Sequence, residues 1–284
     1  MNHSDCSGCS LCLLVCPAWR ETRDVRLTPR GRAKARQHGA SAAEIASWLD
    51  GCTLCGACEP ICPESLPLVD MVMELRRERP GAEIAFRAAP VSLLSTHTVI
   101  LPGRALGADE ARGQRTLGLF GAGHALAEDD GNDLALALEA GRPIPPGRLS
   151  AFLEPLRAAK RLIVAEGLLL RALRRWLPKV PAISLGEALS VKPAIREKLR
   201  PSDLYVIAAR PFHNDHARLV GHYDGLRNAS GCEMNLDLQR IAIPAAQARW
   251  ILEGRQVARI VVEDVSDAAA FSFSAAPVLH LADL

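Results

Sequence analysis

Eight of the nine cysteines in this 284-residue chain lie in two copies of one spacing pattern. The first copy runs from Cys6 to Cys16 and the second from Cys52 to Cys62, with two, two and three residues between successive cysteines. A proline follows the last cysteine of each copy and stops the helix there. Three thiolates at this spacing wrap one metal cluster along a tight turn. The two copies therefore predict two four-iron, four-sulfur (4Fe-4S) clusters.

The fourth cysteine of each copy is predicted to bind the cluster of the other copy, as in proteins that carry two such clusters. No catalytic residue is predicted beside these ligands. The predicted set for the first cluster is Cys6, Cys9, Cys12 and Cys62, and the set for the second cluster is Cys52, Cys55, Cys58 and Cys16.

Disulfide bonds and structural zinc are two other uses of eight cysteines. Disulfides need an oxidising compartment, and the polar start Met1-Asn2-His3-Ser4-Asp5 leaves no room for a hydrophobic signal core before the first cysteine. Structural zinc favours two separated Cys-x-x-Cys pairs, and two four-cysteine copies exceed that need. The spacing favours iron–sulfur clusters over both.

Length and charge limit the remaining classes. The chain is longer than two clusters require, which predicts a second domain with its own core. A net charge of +2 gives no indication of nucleic-acid binding. No run approaches the ~20 apolar residues of a membrane span. Because such clusters favour a reducing interior, we expect a cytoplasmic protein.

The segment between the cysteine copies is strongly basic. Its charges form either a solvated face or a surface that offsets the negative clusters or docks an acidic partner. The seven basic residues are Arg20, Arg23, Arg26, Arg30, Arg32, Lys34 and Arg36.

Residues 1–80 are predicted to form a helical domain. Ser41 and Glu44 have the spacing of a capping box, and an amphipathic helix is predicted from Leu68 to Arg79. Pro80-Gly81 marks the predicted domain boundary.

Residues 81–284 alternate between short apolar runs and helical stretches. This predicts an α/β domain of two similar halves with mainly parallel strands, separated by a loop at 124–147, and an α+β chain overall. Predicted strands are Thr98–Leu101, Thr116–Phe120, Arg161–Ala165, Leu204–Ala208, Arg259–Val262 and Val278–Leu281, and predicted helices are Ala151–Lys160, Leu168–Trp176 and Ala245–Glu253.

The cysteine copies, Thr28-Pro29-Arg30-Gly31-Arg32 and Leu49-Asp50-Gly51 resemble the iron–sulfur subunits of glycolate oxidase and anaerobic glycerol-3-phosphate dehydrogenase. The wider group includes heterodisulfide reductase. The resemblance implies a helical dicluster ferredoxin domain, followed by two cysteine-rich halves that bind a further redox centre. It rests mainly on residues 1–80.

The second domain lacks the cysteines that this resemblance implies. Iron clusters need soft sulfur donors, so no further cluster is expected there. Other residues stand at the family's cysteine positions: Arg104, Asp129, Asp130, Phe212 and Ile243. The remaining cysteine, Cys232, is predicted to be a buried structural thiol.

Three other groups of residues are candidate sites. Gly121-x-Gly123 is interpreted as a plain turn, because Leu126 occupies the third glycine position of a dinucleotide-binding motif. The group His213, Asp215, His216 and His222 is interpreted as a polar turn, and Glu128, Asp129, Asp130 and Asp133 as a solvated loop.

We therefore predict a non-catalytic electron-transfer subunit of an oxidoreductase complex. It would relay electrons between a partner dehydrogenase, flavin-containing as in the group it resembles, and a downstream acceptor, either free in the cytoplasm or peripheral on the inner face of a membrane. Two alternatives stay open: a redox enzyme subunit with a replacement metal or substrate site in the second domain, and an assembly subunit whose clusters are structural.

Overall fold

The computed structural model describes residues 3–88 and 97–284. Within residues 3–88 the regular structure is helical. The helices are α1 (Leu11–Val15), α2 (Pro17–Thr22), α3 (Pro29–Gln37), α4 (Ala46–Asp50) and α5 (Leu68–Arg77), with 3-10 turns at His3–Asp5 and Val25–Leu27.

A side-chain cap fixes the start of α3, and a second capping interaction lies in the turn before α4. The Thr28 hydroxyl accepts a hydrogen bond from the Gly31 amide at 3.1 Å, and Pro29 occupies the first position of α3. Before α4, the Ser41 amide donates to the Glu44 carboxylate at 2.7 Å and the Glu44 amide donates to the Ser41 hydroxyl at 3.3 Å. The predicted capping box is thus present.

The second part of the chain contains two four-stranded parallel sheets. Their orders are β2-β1-β3-β4 and β6-β5-β7-β8, so the two halves share one topology. The strands are β1 (Thr98–Leu101), β2 (His124–Leu126), β3 (Arg161–Val164), β4 (Ala182–Ser184), β5 (Asp203–Val206), β6 (Glu233–Met234), β7 (Arg259–Val262) and β8 (Val278–His280).

Helices lie between these strands, which confirms the predicted α+β class with two similar parallel halves. They are α6 (Gly103–Gly107), α7 (Glu110–Phe120), α8 (Asn132–Ala140), α9 (Pro146–Leu153), α10 (Gly167–Trp176), α11 (Leu185–Ser190), α12 (Pro193–Arg196), α13 (Ala209–His213), α14 (His216–Ser230) and α15 (Ala248–Leu252). 3-10 turns occur at Ala245–Gln247, Val265–Phe271 and Leu281–Asp283.

Three sequence-based predictions about this part are wrong. Thr116–Phe120 is the end of helix α7, and the Thr116 hydroxyl donates to the Arg112 carbonyl at 2.8 Å within that helix. The segment 124–147 contains β2 and α8, so the two halves divide instead between β4 and β5. The helix predicted at 151–160 begins earlier, at Pro146, and ends at Leu153.

The helical part packs closely against the first half of the second. Gly141, with a positive φ of 67°, ends α8 where an added Cβ would lie 2.6 Å from the Arg76 Cβ. The Arg142 guanidinium donates to the Arg79 carbonyl at 3.0 Å. The domain boundary at Pro80-Gly81 stays a prediction.

Candidate iron–sulfur site

The helical part contains a cavity lined by Cys6, Cys9, Cys12 and Cys62. Three of these cysteines come from the first copy, and Cys62 comes from the second. Gly8 shapes the loop: its φ is +83°, and a side chain there would meet the Lys34 Cε at 2.7 Å.

A second cavity is lined by Cys16, Cys52, Cys55 and Cys58. Cys16 lies at the end of α1 and directly precedes Pro17, the first residue of α2, so two helix ends fix its position. In the loop of the second copy, Gly56 has a φ of +79°, and a Cβ there would lie 3.0 Å from the His213 Cβ. Each cavity thus collects four cysteines from both copies.

All eight of these cysteines are free thiols. Burial raises the pKa of Cys12 to about 11 and that of Cys55 to about 11, and burial also raises the pKa of Cys58. Bare thiols with such pKa values stay protonated at neutral pH. Binding of iron would release these protons, because a metal bound to sulfur stabilises the thiolate.

Two buried arginines lie beside the second cavity without a carboxylate partner. Arg32, which is 0% exposed and lines this cavity, donates from Nε to the Trp48 carbonyl at 2.8 Å. Arg76 is 6% exposed and donates from Nη2 to the carbonyls of Leu49 at 2.8 Å and Cys52 at 2.7 Å. Neither takes part in the ion pairs found among residues 3–88 and 97–284.

A buried cation without a counter-charge is costly, so the surroundings of Arg32 and Arg76 call for a negative group. A 4Fe-4S cluster bound by four thiolates carries net negative charge. The donor type, the four-cysteine cavities and the two arginines therefore all fit such a cluster.

The basic segment is dispersed by the fold instead of forming a single charged face. The Lys34 ammonium donates to the Cys6 carbonyl at 3.0 Å, and the Arg30 guanidinium donates to the Gly8 carbonyl at 3.2 Å. Arg26 instead pairs with Asp24 at the surface at 2.7 Å. Lys34 and Arg30 therefore stabilise the loop of the first cysteine copy through hydrogen bonds to its backbone carbonyls.

Residues of the part with the two parallel sheets contact the loop of the second cysteine copy. His213 is buried and donates from Nδ1 to the Cys55 carbonyl at 2.7 Å, while the Ala242 amide donates to its Nε2 at 3.2 Å. Burial lowers the pKa of His213 to about 4, which keeps the ring neutral and fits this donor–acceptor arrangement. The Arg210 guanidinium donates to the Thr53 carbonyl at 2.9 Å.

A salt-bridge cluster also joins the two parts of the chain. Arg171 contacts the carboxylates of Glu59 at 2.7 Å and Asp70 at 2.8 Å. Sequence reasoning missed His213, Arg210 and Arg171 as supports, because each lies more than a hundred positions from its partner and belongs to no local motif.

The other predicted groups have different surroundings from those expected. His213 ends helix α13 and is buried, so the predicted polar turn is wrong for this residue. His216 contacts the Arg240 carbonyl through Nε2 at 3.0 Å, and His222 contacts the Ser190 hydroxyl at 2.9 Å. In the part of the chain that the structure describes, no three His, Cys, Asp or Glu side chains are grouped as a single-ion site.

The acidic segment before α8 is not a solvated loop. Arg148 is buried and pairs with Asp129 at 2.7 Å and with Asp133 at 2.7 Å.

Of the residues at the family's cysteine positions, Phe212 and Ile243 are buried in the core, whereas Arg104 is exposed. Gly121 and Gly123 form the turn between α7 and β2. Cys232 is buried as predicted, and the Ser230 hydroxyl donates to its Sγ.

Comparison with known proteins identifies the N-terminal region. The family model for the 4Fe-4S dicluster domain matches residues 2–66. Over 73 residues the chain is 36% identical to one subunit of the ferredoxin/F420H2-dependent CoB-CoM heterodisulfide reductase of Methanosarcina acetivorans. That match spans 25% of this chain and 43% of the relative, and no solved structure matches.

The N-terminal region is therefore a ferredoxin-type 4Fe-4S domain with an iron–sulfur electron-transport role. Among the helices of residues 3–88 and 97–284, none is long and apolar enough to span a membrane.

Proposed function

We propose that this chain is an electron-transfer subunit of a larger oxidoreductase and holds two 4Fe-4S clusters. The observation that carries the proposal is the pair of cavities, each lined by four free thiols drawn from both cysteine copies. The buried Arg32 beside the second cavity supports it, because that cation requires a negative neighbour.

We assign the cluster ligands by cavity. Cys6, Cys9, Cys12 and Cys62 would hold the first cluster, and Cys52, Cys55, Cys58 and Cys16 would hold the second. When bound, each cluster supplies a centre that accepts and releases one electron at a time. Cys12 lies within α1 and Cys16 ends it, so a single helical turn connects a ligand of one set to a ligand of the other.

The two sites differ in their access to solvent. Cys9 is exposed, whereas Cys55 is buried beneath His213. Around Cys9, Leu11 is 42% exposed and Leu14 is 57% exposed. We propose that an electron-transfer partner protein docks on Leu11 and Leu14, because exposed apolar side chains favour a protein contact and a partner bound there would lie beside the more accessible centre.

We propose two domains for the chain. Residues 1–80 are proposed as the ferredoxin domain and residues 81–284 as the domain that covers the second cluster. The relative that is a heterodisulfide reductase subunit supports a complex of several subunits. The resemblance to the glycolate oxidase and anaerobic glycerol-3-phosphate dehydrogenase group supports a flavoprotein dehydrogenase as the proposed partner. The complex would work in the cytoplasm or at the inner membrane face through that partner.

Anaerobic purification of the full chain tests this function. We expect about eight irons and eight sulfides per chain and reversible reduction by a low-potential donor. Clusters that form but never accept an electron reversibly would contradict electron transfer and favour a structural role. An iron content near four per chain would contradict the two-cluster assignment.

A further inference from the structure

A third cavity is lined by residues of both α/β halves and by no cysteine. Its volume is about 250 Å³, and its lining includes residues that come within four positions of the ends of β1, β3, β5 and β7. The carboxyl ends of the central strands of both sheets thus face one space. In open parallel sheets this edge is the usual place for a ligand.

The two halves contribute equivalent charges to this cavity. Arg104 is the second residue of α6, shortly after β1, and Arg210 is the second residue of α13, shortly after β5. Glu166 follows β3 and accepts a hydrogen bond from the Leu169 amide at 2.7 Å. Asp264 follows β7 and accepts one from the Ser266 amide at 2.9 Å. Each half therefore supplies one arginine and one acidic cap.

One of the two possible arginine–acid pairs, Arg210 with Glu166, forms an ion pair within the protein. The Arg210 guanidinium contacts the Glu166 carboxylate at 3.2 Å and also pairs with Glu139, so the charge of Arg210 is compensated within the protein. The Glu263 carboxylate is likewise occupied, since it accepts hydrogen bonds from the hydroxyls of Tyr205 at 2.7 Å and Tyr223 at 2.6 Å.

The equivalent pair, Arg104 from the first half and Asp264 from the second, forms no ion pair within the described residues. Arg104 and Asp264 both line the cavity, yet neither takes part in an ion pair with any described residue. Asp264 uses Oδ1 for the amide and hydroxyl of Ser266, which leaves Oδ2 without a described donor. The Asn132 amide group, also on the cavity wall, has no described partner for its side chain.

We propose that this cavity binds a small zwitterion, with a carboxylate on Arg104 and an ammonium group on Asp264. A ligand with one charge would compensate only one of the two protein charges, whereas a zwitterion reproduces the ion pair that Arg210 and Glu166 form within the protein. This proposal does not depend on the electron-transfer function.

Calorimetric titration of the full chain with its clusters loaded tests the proposal. The probes are glycine, β-alanine and γ-aminobutyrate, which place the two charges at increasing separation, together with butyrate and butylamine, which each carry one charge. We expect at least one of the three amino acids to bind at least tenfold more tightly than butyrate or butylamine. No binding by any of the three, or equal binding of butyrate, would overturn the proposal.

Two variants locate the site. Arg104→Gln and Asp264→Asn should each weaken binding of the best probe by at least tenfold, and Asp264→Asn keeps an oxygen that can accept from Ser266. Arg157→Gln, which removes an exposed cation that pairs with Glu154, should leave binding unchanged. Unchanged binding in both cavity variants would contradict the site. Electron paramagnetic resonance (EPR) spectra should stay unchanged in all three, which separates this outcome from loss of the clusters.

Discussion

Replacement of Arg32 by methionine should lower the reduction potential of the second cluster. Arg32 is fully buried at the cavity of Cys16, Cys52, Cys55 and Cys58, and its hydrogen bonds go to the Trp48 carbonyl. Methionine has a similar length but no charge. Because reduction adds negative charge to the cluster, removal of a nearby cation makes reduction less favourable.

The size of the effect follows from Coulomb's law. At a separation on the order of 6 Å and an effective dielectric constant of ~20, the interaction is about 3 kcal/mol. For a one-electron couple this corresponds to roughly 120 mV, since ~59 mV is a tenfold change in the equilibrium constant. Because water and neighbouring dipoles weaken the interaction, we expect a fall of roughly 50 to 120 mV.

In the cluster-free chain, the same substitution should raise the stability of the fold. Without a cluster, Arg32 loses the negative group that compensates its burial, so Arg32→Met should stabilise the cluster-free fold by about 1 to 3 kcal/mol. Chemical denaturation of cluster-free wild type and variant measures this difference.

A potentiometric titration followed by EPR measures the potential of each cluster. Arg26→Met is the matched control, because Arg26 lies in the same segment but pairs with Asp24 at the surface, where its side chain is 62% exposed. The control should shift either potential by less than roughly 20 mV, since solvent screens its charge. An unchanged potential of the second cluster in a correctly folded Arg32→Met protein would refute the role of Arg32 as counter-charge.

Three further predictions concern the ligands, the docking surface and a buried acid. Cys16→Ser should damage the cluster of Cys52, Cys55 and Cys58, and loss of the other EPR signal instead would contradict the assignment. Leu14→Asp should slow electron exchange with the partner at least tenfold, whereas Val191→Asp, at a residue 52% exposed, should not; equal effects would argue against the docking surface. Burial raises the pKa of Glu263 from 4.5 to about 7. The folded state therefore binds the proton more tightly, and stability should fall by up to about 3 kcal/mol as the pH rises from 4.5 to 7. Glu263→Gln should flatten this dependence in denaturation experiments, and an unchanged slope would exclude Glu263 as its source.

Sequence patterns predicted the central strands because these strands are buried runs of apolar residues. The strands β1 and β7 have the predicted bounds, β3 and β8 lie within theirs, and β5 begins one residue before its predicted start. The strands β2, β4 and β6 were missed, since each is a two- or three-residue edge strand without an apolar run, whereas the equally short edge strand β8 is followed by the apolar Leu281. Such short strands form when a neighbour supplies the hydrogen bonds, and their own pattern is too short to detect.

The segment Thr116–Phe120 shows a second limit. Short apolar runs fit a buried strand or one face of a helix equally well. The decisive signal was upstream: Asp109 accepts a hydrogen bond from the Arg112 amide at 2.9 Å and starts a helix that continues through this run. The capping residue Asp109 is therefore the sequence signal that indicates a helix over Thr116–Phe120.

The candidate site was predictable to the extent that its cysteines follow a local motif. The cysteine spacing is a property of two short segments, and both cavities are lined by the predicted sets. The supports of the site depend on tertiary packing: His213 reaches Cys55, and Arg76 reaches Cys52, from other elements of the fold. Neither contact leaves a pattern in the sequence.

The two-cluster relay is tested most directly by a reductive titration of the anaerobically purified full chain, followed by EPR. We predict that each chain takes up about two electrons reversibly and that the signals of the two reduced clusters interact, because α1 links Cys12 to Cys16. Uptake of a single electron, or two signals without interaction, would contradict a relay of two adjacent clusters.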